Sequence, residues 1–367
     1  MADLRVGIIG VNAERGWAHE SHVPAVQALR GLQLAAVANR TQEAADAAAA
    51  ALGVRGYGDP ADLIADPSID IVTVAASVPA HHDLLVAAFG AGKHVVTEWP
   101  VGTNTIQTEK LTELGDRSGV RTAVGLQSRM NPAALRAREL VASGAVGRVL
   151  SATVYSSTAG FGRAVGTNEL YLEQPDTGMN LTTIQTAHTL DFAIWLAGRL
   201  NSVAALTTIQ YPELTVDDHR QPYRRILPDH LLIHGRLAGG GALAVQVVGG
   251  RPADATPFRM EIIGEDGVLT VDGGAARGFQ AGLLRLSLNG EPIQIDQGET
   301  ATLPDSVVNV ARVYAALRDD IARNTSTTPN FHDAARLSHL VDDLLTADAT
   351  GQSTTPTAPW PSGAETS

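Results

Sequence analysis

The sequence predicts an α/β protein: a doubly wound parallel sheet followed by an α/β domain with a large open, mostly antiparallel sheet. Three observations carry this reading. Over the first hundred residues short apolar runs alternate with helical patterns. Past residue 120 the rhythm becomes one of alternating runs divided by turns of Gly, Pro and Asp. Glycine is abundant, 36 of 367 residues, and aromatics make up only 4%, which suits helices packed closely on sheets.

In order, Leu4–Ile9 reads as a strand, residues 16–29 as a helix by apolar spacing, and Leu32–Ala38 as a second strand. Residues 44–52 are helical by propensity, 70–76 form an apolar β-branched strand, 81–90 a helix and His94–Thr97 a strand. Strand, helix, strand with short connections implies right-handed crossovers and a parallel sheet covered on both faces. Residues 121–126 add a strand and 132–143 a helix. The later strands are 150–156, 203–210, His230–Leu237, Ala242–Val248, 258–263, 268–271 and 283–288. Residues 306–324 and 333–347 read as amphipathic helices. The expected domains are therefore 1–127, 128–347, and a loosely ordered Thr/Pro/Gly/Ser-rich tail over 348–367.

Composition narrows the function. The formal charge of −12 argues against holding nucleic-acid phosphates by charge, and the one basic cluster, residues 220–225, is short and holds a proline. With no cysteine there is no disulfide, thiolate metal site or thiol nucleophile, and no metal site is expected. The opening residues lack a signal-like pattern and no segment reads as a membrane span, so a cytoplasmic protein is expected.

Between the first strand and first helix lies Gly7-Ile8-Ile9-Gly10-Val11-Asn12-Ala13-Glu14-Arg15-Gly16. A dinucleotide fingerprint sits at this place, where free helix N–H groups and close backbone approach hold a pyrophosphate. The match to Gly-x-Gly-x-x-Gly is imperfect: Asn12 replaces the second glycine and Gly16 comes one residue late. Asn tolerates positive φ, so the turn can survive; the alternative is a tight turn with no ligand. The second strand ends Ala38-Asn39-Arg40-Thr41 with no carboxylate for a ribose 2′-hydroxyl. Arg40 suits a 2′-phosphate, which predicts NADP(H), with NAD(H) as the alternative, unless Arg40 is simply a solvated cation.

The stretch Asp70-Ile71-Val72-Thr73-Val74-Ala75-Ala76-Ser77, then His82, then Ala91-Gly92-Lys93-His94-Val95-Val96-Thr97-Glu98-Trp99-Pro100, resembles the hallmark of the Gfo/Idh/MocA oxidoreductases, whose usual form ends in Glu-Lys-Pro. Gln127, Arg129, Asn131-Pro132 and Ser143-Gly144-Ala145-Val146-Gly147-Arg148 resemble that family's next block. Asn12-Ala13-Glu14-Arg15-Gly16-Trp17-Ala18, His22, Pro24-Ala25 and Pro228-Asp229-His230-Leu231-Leu232 are similar to the branch containing the yeast galactose/lactose metabolism regulatory repressor. The resemblance implies a Rossmann domain, then an α/β domain whose open sheet contacts substrate and often forms a homodimer or higher homo-oligomer. It also implies hydride transfer between nicotinamide and a sugar, polyol or related carbonyl. On fingerprint position and resemblance together, the cofactor residues are Gly10, Val11, Asn12, Arg15, Gly16, Trp17, Asn39, Arg40, Ser77, Val78, His82, Glu98, Trp99 and Gln127. A cis peptide is implied before Pro100, and Glu98 is implied beside the nicotinamide ribose.

Two of the three proton-handling residues that the resemblance implies are changed. Trp99 stands in the lysine's place and Ile184 in the aspartate's, leaving His188. An indole donates one N–H but shuttles no proton at neutral pH. His188 has a suitable ordinary pKa, and Gln185, Thr182 or Thr186 could bind substrate from the same helix; the catalytic set is thus His188, Gln185 and Trp99. The reading is an NADP(H)-preferring oxidoreductase acting on a sugar-like, polyol or cyclic ketone substrate. The alternative, favoured by the two replacements, is a catalytically silent nucleotide-sensing regulatory protein. Elsewhere, His19 and His22 are three apart rather than four, which does not make a zinc helix. His81 is expected to be solvated beside a cofactor-side His82. Asp229 and His230 mark either a site-facing loop or a conformational need.

Overall fold

The computed structural model describes residues 3–216 and 221–358 and divides the chain into two compact units. The first holds the chain up to Met130 together with Gly298–Ala335; the second holds Asn131–Gln297 and the chain from Arg336 onward.

In the first unit, β1 (Leu4–Ile9), β2 (Leu32–Ala38), β3 (Arg55–Tyr57), β4 (Ile71–Val74), β5 (His94–Thr97) and β6 (Thr122–Val124) form one sheet in the order β3-β2-β1-β4-β5-β6. Every pairing is parallel. β4 is buried along its whole length, as a strand covered on both faces must be. The helices are α1 (Val23–Ala28), α2 (Gln42–Leu52), α3 (Pro60–Ala65), α4 (Val78–Gly90) and α5 (Thr105–Ser118). The helical spacing of residues 16–29 resolves into a π-helical turn, Ala18–His22, followed by the short α1. α2 starts where the Thr41 hydroxyl accepts the Ala44 N–H and stops at left-handed Gly53. α5 has no apolar stripe to read, because its buried face consists largely of Thr105, Thr108 and Thr112 around Leu111.

The second unit contains α6 (Pro132–Ala142), α7 (Ala187–Ala197), and β7 (Val149–Ser157) through β17. β8 is Ala164–Val165, β9 Leu200–Thr208, β10 Glu213–Val216, β11 Gln221–Arg224, β12 His230–Leu237 and β13 Ala242–Val248. β14 is Phe258–Gly264, β15 Val268–Gly273, β16 Leu284–Leu288 and β17 Glu291–Ile293. Eight strands run in the order β17-β16-β15-β14-β7-β13-β12-β9, and only β13 with β7 is parallel. The sheet's inner face packs under Leu190, Phe192 and Leu196 of α7, with Phe258 stacked on Phe279 at 4.0 Å. A separate sheet, β11-β10-β8, has its own small core of Val165, Leu214 and Val216. Arg220 of the basic cluster lies outside the described residues.

The chain then returns. α8 (Asp305–Arg323) buries Val307, Val310, Ala311, Tyr314 and Leu317 in the first unit's core with Val6, Ile8 and Val26, although a linear boundary at 127 assigns it elsewhere. α9 (Phe331–Thr350) begins in the first unit and continues in the second, where Leu340 and Leu344 join the core. Of the tail, Thr354 bridges to Val203 and Thr357 donates to Asp343, while residues 359–367 lie outside the described residues. Among the described residues no helix is long and apolar enough to cross a membrane.

One buried carboxylate closes the turn after α8. Asp320 accepts the hydroxyls of Thr325, Thr327 and Thr328 and the N–H groups of Thr327 and Thr328. Burial pushes its carboxyl pKa up, but these hydrogen bonds outweigh burial and hold it below the usual range. A depressed folded-state pKa contributes stability above the ordinary carboxylate pKa, and that stability is lost as pH falls through the folded value. Asp320→Asn should therefore lower unfolding free energy at neutral pH by about 2 kcal/mol. In denaturant titrations the gap to wild type should narrow in acid; an equal gap at both pH values would refute this role.

Candidate functional site

The nucleotide side is built where the strands of the first unit end. Gly10 N–H donates to the Ala38 carbonyl (2.9 Å) and Ala75 N–H to that of Ile9 (3.0 Å). Glu98 N–H reaches Val74 and Gly125 N–H reaches Thr97. The carboxyl ends of β2, β1, β4, β5 and β6 are thus tied in sequence, and the strand order reverses direction between β1 and β4, where open α/β sheets bind ligands. Gly10 has φ +95°, and a Cβ there would stand 2.8 Å from the Ala75 carbonyl oxygen. Only glycine fits.

Asn12 works differently from the expectation. The non-glycine residues with positive φ among the described residues are Phe161, Asn289 and Asn324, so Asn12 needs no left-handed backbone. Its Oδ1 instead accepts the N–H groups of Glu14 (3.0 Å) and Arg15 (3.1 Å), and this shapes the turn that the missing glycine would have allowed. Gly16 follows, its N–H donating to Glu20 Oε1, and the π-helical turn begins two residues later. Val11 is buried, and its carbonyl accepts from Asn39 Nδ2 (2.9 Å), which ties the end of β2 to the turn. Arg40 and Arg15 are exposed and carry no ion pair among the described residues. Two buried polar atoms of this unit, Trp17 Nε1 and Gln127 Oε1, have no hydrogen-bond partner among the described residues. An orphaned donor, an orphaned acceptor and an unpaired arginine beyond β2 fit a bound dinucleotide.

Ser77 precedes α4 without a side-chain cap bond, and Val78 opens that helix, buried. Of the two histidines of α4, His81 departs from the expectation. His82 is partly exposed and bonded to Asp83 (2.8 Å). His81 is fully buried rather than solvated, because its ring spans the carbonyls of Ala76 (3.0 Å) and Val101 (3.2 Å) and fixes the loops after β4 and β5. Burial pushes its pKa down against those carbonyls. Trp99 is buried, and the Trp99–Pro100 peptide is cis. Glu98 Oε1 lies 2.6 Å from Nε2 of buried His22, whose Nδ1 is 2.8 Å from the Tyr314 hydroxyl of α8. Thr73 completes this chain at 2.7 Å from Tyr314. Nothing local in the sequence marks Tyr314 or Thr73, since both sit in patterns that read as core.

In the second unit a π-helical turn, Thr182–Thr186, leads into α7, and His188 is buried in the first turn of that helix. Such turns recur at functional sites. Gln185 is committed within the unit: its Nε2 donates to Ser156 Oγ (2.8 Å), and Gln280 Nε2 lies 3.3 Å from its Oε1. Thr189 Oγ1 lies 2.9 Å from Ser156 Oγ, so β7 and α7 are tied together at Ser156. The buried hydroxyls of Thr182 and Thr186 have no partner among the described residues, so they are open donors of this helix. Ile184 is partly buried in the same turn.

Asp229 meets a conformational need. It is fully buried and accepts from the N–H groups of Gln210 and Tyr211, from Arg225 and from His230. Burial pushes its carboxyl pKa up, and those bonds reverse the shift. Arg225 also forks onto Glu173 (2.6 and 2.8 Å) and donates to the carbonyl of Phe161, whose φ is +63°. A bulky residue with that backbone persists only when its surroundings hold it.

Residues 4–126 match the model of the oxidoreductase family, NAD-binding Rossmann fold, and residues 132–273 match that of the Gal80p C-terminal domain. The chain is similar to dehydrogenase aclE of Aspergillus oryzae, 27% identical over 96% of this chain and 98% of that one. It is also similar to the galactose/lactose metabolism regulatory protein GAL80 of Saccharomyces cerevisiae, 26% identical over 90% of this chain and 83% of that one. The solved super-repressor mutant of that regulator shares the fold at TM-score 0.85, with 23% identity over 96% and 98% of the two chains. Levoglucosan dehydrogenase in complex with NADH and L-sorbose shares it at 0.82, with 19% identity over 97% and 99%.

Proposed function

We propose, for a chain that joins a Gfo/Idh/MocA oxidoreductase Rossmann domain to a Gal80p-type C-terminal domain and so belongs to that family, hydride transfer between NADP(H) and a sugar-like, polyol or cyclic ketone substrate. The observation that carries it is the Gly10–Gly16 turn, with the orphaned Trp17 N–H and Gln127 oxygen on the same unit. The nicotinamide supplies the hydride; the chain has to bind it and handle the accompanying proton. Gly10, Val11, Asn12 and Gly16 would hold the pyrophosphate, and Arg15 and Arg40 would attract the anion that a net charge of −12 otherwise repels. Arg40, unpaired at the start of the β2–α2 loop, favours a 2′-phosphate over a bare ribose.

His188 is the proton-handling residue in this reading. Its helix is fixed by Gln185 and Ser156, and the open Thr182 and Thr186 hydroxyls are suited to orienting a polyhydroxylated substrate. Trp99 provides a wall and no proton. That sugar-type ligands occur on this fold, as the levoglucosan dehydrogenase complex with L-sorbose illustrates, supports the substrate class. The second reading, a nucleotide sensor without turnover, is favoured by Trp99 and Ile184 and by the Gal80p-type C-terminal domain. We also propose that a second copy covers the outer face of the eight-stranded sheet, where exposed Leu206 and Leu232 are register partners.

Three measurements follow. Arg40→Ala should weaken NADPH binding by about tenfold or more while leaving NADH nearly unchanged; tighter wild-type binding of NADH than NADPH would reverse the assignment. His188→Ala should cut kcat by about 10²-fold or more on a verified substrate, and full turnover would remove it from the mechanism. Sedimentation equilibrium should return at least twice the chain mass, with Leu232→Glu shifting it toward one chain; a wild-type monomer would contradict the sheet-face contact.

A further inference from the structure

We propose that His22 and Tyr314 are positioning residues for the cofactor. Together they hold the Glu98 carboxylate as the acceptor for the vicinal hydroxyls of the nicotinamide ribose, an inference that rests on the nucleotide reading above. An ionised carboxylate only accepts, so His22 Nε2, 2.6 Å from Glu98 Oε1, carries the proton of that bond. A neutral imidazole then accepts at Nδ1, and the Tyr314 hydroxyl, 2.8 Å away, donates to it. The Tyr314 oxygen is left to accept from Thr73 Oγ1 at 2.7 Å. With His22 neutral the chain therefore has one polarity, from Thr73 through Tyr314 and His22 to Glu98. Each intermediate group both donates and accepts.

Packing makes this chain rigid. His22 is 1% exposed and Tyr314 0%, and the rings meet edge-on at 5.7 Å and 89°. Glu98, at the carboxyl end of β5, is 22% exposed. Its carboxylate lies over Gly125, where a Cβ would stand 3.1 Å from Oε2. Oε1 is thus claimed by His22, while Oε2 has no hydrogen-bond partner among the described residues and retains open lone pairs on a side chain reached by solvent. A vicinal diol presents two O–H donors on neighbouring carbons, and a carboxylate locked in one rotamer accepts both at little entropic cost. The same chain links the ligand to α8, a helix far along the sequence from the phosphate turn.

The test needs no substrate. Wild type, His22→Gln, Tyr314→Phe and Glu98→Gln would be titrated with NADPH and with 2′,5′-ADP, which lacks the nicotinamide ribose; ADP replaces it, with NADH, if NADH binds tighter. His22→Gln and Glu98→Gln should weaken the dinucleotide by about tenfold and Tyr314→Phe by a smaller factor, while the half-molecule binds each variant as it binds wild type. A purely structural role would move both ligands together. Parallel losses for both ligands, or unchanged dinucleotide affinity in His22→Gln, would overturn the proposal. If His22→Gln does not fold, Tyr314→Phe, which removes one oxygen from a buried ring, decides by the same comparison. Failure of wild type to bind either ligand would overturn the nucleotide reading itself and this inference with it.

Discussion

A single carbonyl at the end of β4 constrains the way this chain begins. The Ala75 oxygen sits so near the turn after β1 that position 10 admits no side chain beyond hydrogen, and the backbone leaves it at φ +95°. That approach joins the ends of β1 and β4, the place where an open parallel sheet presents its crevice. From there Asn12 gathers the next N–H groups, the chain passes Gly16 into a π-helical turn, and the turn delivers His22 to Glu98. The shape of the turn after β1 is therefore a consequence of one close approach followed by a sequence of satisfied donors.

Chemistry has been redistributed around that scaffold. With Trp99 at the lysine position, the end of β5 offers a buried indole and a carboxylate backed by histidine, which suits binding better than proton transfer. The second unit keeps His188 on a helix whose neighbours are already committed to one another. Its irregular loops are held by a buried arginine with two carboxylates, an arrangement that fixes geometry more reliably than it adds stability.

Strong periodicity made the fold class legible, and where it faded the reading faded too. His230–Leu237 and Ala242–Val248 coincide with observed strands because one face of each is buried and the other is not. α5 carries no apolar stripe, since threonines line its buried side, and β3 is three residues with a glycine at its centre. The strand-to-helix turn after β1 could be placed from the sequence, yet the part played by Asn12 could not, because a side chain accepting from the following N–H groups leaves no spacing signal. His81 looked polar and proved buried, since the two carbonyls it spans come from separate loops. Tyr314 is the clearest case: nearly three hundred residues separate it from His22, and only the return of α8 to the first unit brings the two together.

Turnover of a nicotinamide cofactor despite the altered proton-handling residues is open to direct assay. Purified protein incubated with NADP+ and a panel of sugars, polyols and cyclic alcohols, and with NADPH and the corresponding carbonyls, would be followed by absorbance of the reduced nicotinamide. Substrate-dependent formation or loss of NADPH with at least one member of the panel is the expected result. Tight NADPH binding with no absorbance change across the panel would contradict it and establish the silent nucleotide sensor in its place.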